Sequence, residues 1–222
     1  MTQRRIKAII FDMDGVLVNS EPHHVIIEKG LLARLGLNIS EEEHSSYLGK
    51  SSGQMWKEVR ERHGLKQTAE ELASLNSDEI MKHFSQLSEI ELMPGVVNLL
   101  NKFRDDGVPM AVASSSNVST IELMLTKSGL AGYFLHTMSC ETVGKSKPEP
   151  DVYLHTAELL SVNPEECLVI EDSGNGIKAA KAAGMMCVEY KADKTSGQYN
   201  PHADITIDDF SELPAILEKY LV

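Results

Sequence analysis

The sequence lacks any apolar run long enough to cross a bilayer, and its first residues, Met1 to Arg5, precede no signal-peptide core. Its cysteines are few, odd in number and widely spaced, at Cys140, Cys167 and Cys187. Disulfide frameworks and zinc sites need closely matched sets of cysteines, so this pattern indicates reduced thiols packed in a core. We therefore expect a cytoplasmic protein that binds no membrane.

Positive charge is also scarce. The 21 Lys and Arg residues are outnumbered by 33 Asp and Glu residues, which gives a formal net charge of -12. Nucleic acids and anionic membranes attract basic surfaces, so this balance disfavours both as partners. It does not exclude a local positive pocket for a small anion. We expect a small-molecule partner, and a chain that is a monomer or a weak homodimer.

Two kinds of pattern divide the chain. Residues 21–87 carry helical patterns only, with N-terminal capping signals at Ser40 and Thr68. On either side, short apolar runs alternate with helical segments, which indicates βαβ units and a mainly parallel sheet. The predicted fold class is α/β, with a doubly wound, Rossmann-like core and a helical-bundle cap inserted after strand 1. The predicted domains are a catalytic core, 1–20 and 88–222, and a cap domain, 21–87.

Two acidic residues follow the first predicted strand. An apolar run through Ile10 indicates a buried strand, and Asp12 and Asp14 stand at its exit, before a glycine that permits a sharp turn. An unpaired buried carboxylate is costly, so these residues belong at the exposed end of the strand. Doubly wound proteins bind their ligands at this edge of the sheet.

Polar residues follow other strands to the same edge. Ser114 follows a short apolar strand, Lys147 lies in a loop, and Glu171 and Asp172 end a further strand. Alone, each has an ordinary explanation as a polar loop, a surface lysine or a pair of acids at a helix N-terminus. Together, four carboxylates repel one another unless a cation compensates them, and their hard oxygen atoms suit Mg²⁺. A hydroxyl and a lysine beside that cation would form a site for phosphate, where one carboxylate attacks and another carries the proton.

The chain resembles the haloacid dehalogenase superfamily phosphohydrolases, in the branch with β-phosphoglucomutase and small sugar-phosphate phosphatases. The similarity rests on four motifs in order, Asp12-Met13-Asp14-Gly15-Val16-Leu17, Ser114, Lys147-Pro148 and Glu171-Asp172. The resemblance implies that Asp12 is the nucleophile, which forms an aspartyl-phosphate, and that Asp14 is the general acid/base. It implies that Ser114 and Lys147 complete the catalytic set by holding phosphoryl oxygens. The implied Mg²⁺ ligands are Asp12, Asp14 through its backbone carbonyl, Glu171 and Asp172.

The resemblance also implies residues that contact the phosphate or the rest of the substrate. They are Ser114, Ser115, Asn117, Lys147, His24, Gly49, Lys50 and Ser52. His24 stands ten positions after Asp14, as does a cap histidine of the mutases in this branch, although a solvated histidine at a helix start, or its neighbour His23, remains an equal alternative. Gly49 to Ser52 occupy the loop that carries specificity residues in the family. His44, His63 and His83 are predicted to lie on the surface.

The resemblance leaves three functions open. The mutases often carry an arginine three residues after the loop glycine and a lysine shortly after the serine of the second motif, where this chain has Ser52 and Asn117. We therefore favour a Mg²⁺-dependent phosphatase of a small phosphorylated metabolite, such as a sugar phosphate, over a phosphomutase. A non-catalytic, phosphometabolite-binding regulatory protein is the third hypothesis, and the complete set of catalytic residue types argues against it.

Overall fold

A computed structural model describes residues 5–47, 50–191 and 200–221. In these residues, six parallel strands form one sheet in the order β3-β2-β1-β4-β5-β6. The strands are β1 (Ala8–Phe11), β2 (Met110–Ser114), β3 (His136–Ser139), β4 (Cys167–Glu171), β5 (Met186–Tyr190) and β6 (Ile205–Ile207). The predicted α/β class with a parallel sheet is confirmed.

The central strands end together. Phe11 at the end of β1 pairs with Val112 of β2 on one side and with Ile170 of β4 on the other. These three strands are buried along their whole length, because helices cover both faces of a doubly wound sheet. The residues that follow Phe11, and those at the ends of β2 and β4, therefore lie at one edge.

In the part of the chain that the structure describes, six α-helices accompany the strands. They are α5 (Val96–Asp105), α6 (Val118–Lys127), α7 (Cys140–Val143), α8 (Asp151–Leu159), α9 (Gly174–Ala182) and α10 (Leu213–Leu217). The single turn α7 was not predicted, and its cap is the Ser139 hydroxyl, which accepts a hydrogen bond from the Glu141 backbone nitrogen at 3.1 Å.

The stretch between β1 and α5 is helical, as predicted. Its helices are α1 (Glu21–Arg34), α2 (Glu41–Ser45), α3 (Ser52–His63) and α4 (Ala69–Gln86). Thr68 forms a reciprocal capping box with Glu71, and the Ser40 side chain caps α2. The helix α3 begins at Ser52, because the Ser51 hydroxyl caps it by accepting a hydrogen bond from Gln54 N.

Contacts between Cα atoms divide the chain into two compact units, residues 1–19 with 89–222, and residues 20–88. The helical unit has an apolar core of its own, formed around Trp56 and Leu72. It also buries His44, which bonds to the Glu28 carboxylate at 3.0 Å, so the prediction of a surface position for His44 was wrong. Within the described ranges, no helix is both long and apolar enough to span a membrane.

Candidate active site

Asp12 directly follows β1. Its backbone nitrogen continues the pairing with β4 by donating to the Ile170 carbonyl at 2.9 Å, and the residue is 7% exposed. Gly15 then turns the chain with a positive φ of 77°, a conformation that favours glycine. A Cβ atom at Gly15 would also overlap the Asp172 carboxylate. The lack of a side chain at Gly15 therefore lets the turn after Asp14 pack against Asp172.

Lys147 is the central cation of the site and is 6% exposed. Its ammonium group donates to Asp12 Oδ1 at 2.6 Å, to Glu171 Oε1 at 2.8 Å and to the Ala113 carbonyl at 3.1 Å. An ammonium group has three protons, so these bonds use its whole donor capacity. Lys147 thus ties together groups from the ends of β1, β2 and β4.

Glu171 ends β4 and is fully buried. Its Oε1 accepts hydrogen bonds from Lys147 and from the Tyr153 hydroxyl, each at 2.8 Å. Its Oε2 accepts from Asp172 N, Ser173 N and Ser173 Oγ, at 2.9 to 3.0 Å. Burial opposes ionisation, but the charge of Lys147 and these hydrogen bonds lower the pKa of Glu171. The carboxylate is held in place by donors on both of its oxygens.

Gly176 makes room for this carboxylate, because a Cβ atom there would overlap it. The Ser173 hydroxyl caps α9 by accepting from Gly176 N at 3.0 Å. The need for glycine at Gly176 was not predicted. Sequence patterns at a helix start also suit many other residues, so no local signal indicates the close approach of Glu171.

The polar residues at and after the end of β2 make different contacts. Ser114 is buried and its hydroxyl accepts from Ser116 N at 3.0 Å, while the Ser115 hydroxyl lies 3.9 Å from Cys140 Sγ. Asn117 caps α6 by accepting from Thr120 N at 2.8 Å. Asn117 was predicted to contact substrate, and the observed contact of its side-chain oxygen is this helix cap.

Ser116 is a residue that the sequence analysis missed. Its hydroxyl donates to Asp14 Oδ2 at 3.0 Å, across 102 positions of the chain. The fold thereby brings the second motif against the predicted proton carrier.

The carboxylates form a cluster that fits a cation. Oxygen atoms of Asp12, Glu171 and Asp172 all lie within 4.8 Å of one another. The pKa of Asp12 is raised to about 7, chiefly by burial; the charge of Lys147 opposes this rise, and the charges of Glu171 and Asp14 add to it. A divalent cation would offset this repulsion, and a set of hard oxygen donors matches Mg²⁺.

The predicted substrate residues of the helical unit have contacts within that unit. His24 is half-buried in α1, with its ring centroid 5.9 Å from that of Phe84. Lys50 donates to Glu58 at 2.6 Å. Ser52 is the first residue of α3, and its hydroxyl accepts from the Asn76 side chain at 3.4 Å. Gly49 lies outside the described residues.

Residues 9–189 match the family model of the haloacid dehalogenase-like hydrolases. Hexitol phosphatase B of Escherichia coli K12 is 34% identical to the chain over 222 residues, which cover 96% of this chain and 97% of that protein. β-Phosphoglucomutase of Bacillus subtilis is 27% identical over 213 residues, which cover 94% of this chain and 92% of that protein.

A solved structure is similar over the same extent. It is a variant of CbbY from Rhodobacter sphaeroides in complex with xylulose-(1,5)bisphosphate, which is 26% identical and superimposes with a TM-score of 0.81. The match covers 94% of this chain and 96% of that one. The chain therefore belongs to the haloacid dehalogenase-like hydrolase family, and is related to CbbY, β-phosphoglucomutase and hexitol phosphatase.

Proposed function

We propose that the protein is a Mg²⁺-dependent phosphatase that hydrolyses a small sugar phosphate. The observation that carries this proposal is the Lys147 ammonium, buried and bonded to both Asp12 and Glu171, beside the third carboxylate of the cluster, Asp172. One cation against several carboxylates suits a site that binds a further cation together with an anionic group. The names of hexitol phosphatase B and β-phosphoglucomutase, and the xylulose-(1,5)bisphosphate bound to the CbbY variant, support a sugar phosphate as substrate.

The proposed reaction has two steps. Asp12 attacks phosphorus, the bond between phosphorus and the leaving oxygen breaks, and Asp14 donates its proton to that oxygen. Asp14 then takes a proton from a water molecule, which attacks the aspartyl-phosphate, releases inorganic phosphate and restores the Asp12 carboxylate.

Other groups of the site hold the phosphoryl group. Lys147 and Ser114 donate to its oxygens, which requires the Lys147 ammonium to redirect one of its three bonds. Asp12, Asp172 and the Asp14 carbonyl would hold Mg²⁺, which supplies positive charge beside the phosphoryl oxygens when bound. Glu171 serves as a ligand only if one of its present hydrogen bonds is given up, and otherwise supports Lys147.

The test is hydrolysis of p-nitrophenyl phosphate with Mg²⁺ and with EDTA. We expect turnover only with Mg²⁺, and a loss of about 1,000-fold or more in Asp12→Asn, because the amide is a poor nucleophile. Asp106→Asn is the matched control, since Asp106 pairs with Lys102 on α5, and it should keep wild-type activity. Turnover in EDTA, or full activity of Asp12→Asn, would contradict the proposal.

A phosphomutase is the second candidate, supported by the similarity to β-phosphoglucomutase over 94% of the chain. A mutase would isomerise a sugar 1-phosphate, and a sugar bisphosphate would stimulate it. Release of inorganic phosphate as the sole reaction, with or without the bisphosphate, would rule this candidate out.

A further inference from the structure

Tyr153 contacts the candidate site from the interior of the core. It lies in α8 with its side chain fully buried, and its hydroxyl donates to Glu171 Oε1 at 2.8 Å. Its ring centroid lies 4.8 Å from the Lys147 ammonium. We propose that Tyr153 is a positioning residue of the reaction, which fixes Glu171 and, through it, the direction of the Lys147 ammonium. This inference rests on the proposed phosphatase function.

The hydroxyl matters because of the atom that it reaches. Glu171 Oε1 accepts hydrogen bonds from Tyr153 and from Lys147 at the same distance. This oxygen competes with Asp12 and with the phosphoryl group for the protons of Lys147, and the phenol of Tyr153 occupies part of its accepting capacity. Without the phenol proton, Lys147 would be the one remaining donor to this buried oxygen among the described residues. The carboxylate would then draw Lys147 more strongly, or would shift towards another donor. Either change misdirects the lysine relative to the phosphoryl group.

The ring has a separate role from the hydroxyl. Its face lies against the Lys147 ammonium, where the ring quadrupole attracts a cation. Phenylalanine would keep both this contact and the packing in the core, and would remove the hydroxyl alone. Tyr153→Phe therefore tests the hydrogen bond without opening a large cavity.

Thr156 is a matched control in the same helix. It is also fully buried, but its hydroxyl donates to the Val152 carbonyl within α8 at 2.7 Å. Thr156→Val therefore removes one buried hydroxyl from α8, as Tyr153→Phe does, but leaves the bonds of Glu171 and Lys147 unchanged.

The experiment measures kcat and KM for p-nitrophenyl phosphate at saturating Mg²⁺, the inhibition constant of inorganic phosphate, and the melting temperature of each variant. For Tyr153→Phe we expect about a tenfold fall in kcat/KM and a several-fold weaker affinity for phosphate, as a hydrogen bond to a charged group implies. Thr156→Val should stay within about twofold of wild type in both quantities. If the role of Tyr153 were purely structural, the fall in kcat/KM and in phosphate affinity would follow the fall in melting temperature equally in both variants. That result would overturn the inference.

A double-mutant cycle separates this inference from the parent proposal. Glu171→Ala removes both acceptor oxygens, whereas glutamine would keep an amide oxygen that can accept from the phenol. If Tyr153 acts through Glu171, adding Tyr153→Phe to Glu171→Ala should weaken phosphate binding by less than Tyr153→Phe does in the wild type. Full additivity would overturn the inference. Binding of inorganic phosphate with Mg²⁺ can be measured by calorimetry even in a protein without turnover. A wild type that binds phosphate but never hydrolyses an ester would refute the phosphatase, while the affinities of the variants would still decide the role of Tyr153.

Discussion

At the scale of single residues, the candidate site depends on close approach as much as on charge. Lys147 reaches three acceptors from three strands, and Glu171 is enclosed by donors on both oxygens. Such a buried carboxylate is tolerated because every lost water contact is replaced. The roles of these residues in catalysis stay predictions, whereas their mutual contacts are properties of the fold.

Gly176→Ala tests the need for space beside Glu171. The new methyl group would displace the carboxylate, so we expect activity to fall about ten- to a hundredfold, as small misplacements in active sites do. Alanine favours a helix over glycine, so a loss cannot come from helix propensity. Gly174→Ala is the control, because its Cβ atom would lie 3.5 Å from Asn200, an ordinary contact. Equal activity in both variants would show that Glu171 has room to move.

At the scale of elements, the helical unit combines an apolar core with several histidines. His23 Nδ1 of α1 lies 2.8 Å from His83 Nε2 of α4, and both rings contact Phe84. The prediction of a surface position therefore fits His83 poorly, since its ring takes part in helix packing. The domain boundary at residues 21–87, and the contact of His24, Gly49, Lys50 and Ser52 with the substrate, stay predictions.

The contact between His23 and His83 leads us to expect that the stability of the fold depends on pH. Burial, and then the charges of His23 and His24, lower the pKa of His83. The unfolded chain therefore binds a proton more readily, and stability should fall as the pH decreases below about 6.5, the ordinary pKa of histidine. The measurement is the melting temperature between pH 8 and about 5, where His83→Gln should show a weaker decrease than wild type. His155→Gln, at an exposed position of α8, should keep the wild-type decrease, and an unchanged slope in His83→Gln would refute the prediction.

At the scale of the whole molecule, the fold gathers the carboxylates of Asp12, Glu171 and Asp172 at one edge of the sheet. A bound Mg²⁺ would relieve the repulsion among Asp12, Glu171 and Asp172 in the folded state only. Mg²⁺ at 100 times its dissociation constant would stabilise the fold by about 2.7 kcal/mol.

We therefore expect Mg²⁺ to raise the melting temperature by several degrees and EDTA to reverse the effect. Asp172→Asn should abolish the shift, because it removes a carboxylate from the cluster. Asp106→Asn should retain it, and a shift of equal size in Asp172→Asn would place the cation elsewhere.

Several features of this protein could be predicted from local patterns of sequence. Buried strands of apolar residues, glycine turns and helix caps such as Thr68 are determined by neighbours along the chain, so the α/β class and the helical insertion followed from them. The family followed from the resemblance of the four motifs. The parallel sheet and the family are confirmed. The position of acidic residues at the ends of β1 and β4 was predicted in the same way, but their burial was not: Asp12 is 7% exposed and Glu171 is fully buried, because Lys147 pairs with both.

Tertiary structure alone decided the remaining features. Lys147 meets Asp12 across 135 positions and Ser116 meets Asp14 across 102, and no local rule specifies such pairs. His44 was predicted to be exposed and is buried, because Glu28 offers it a partner from another helix. The requirement for glycine at Gly176 and the contact of Tyr153 with Glu171 arise in the same way. Both depend on how α8 and α9 pack against the end of β4. That packing brings into contact residues that are distant along the chain, so local sequence patterns do not predict it.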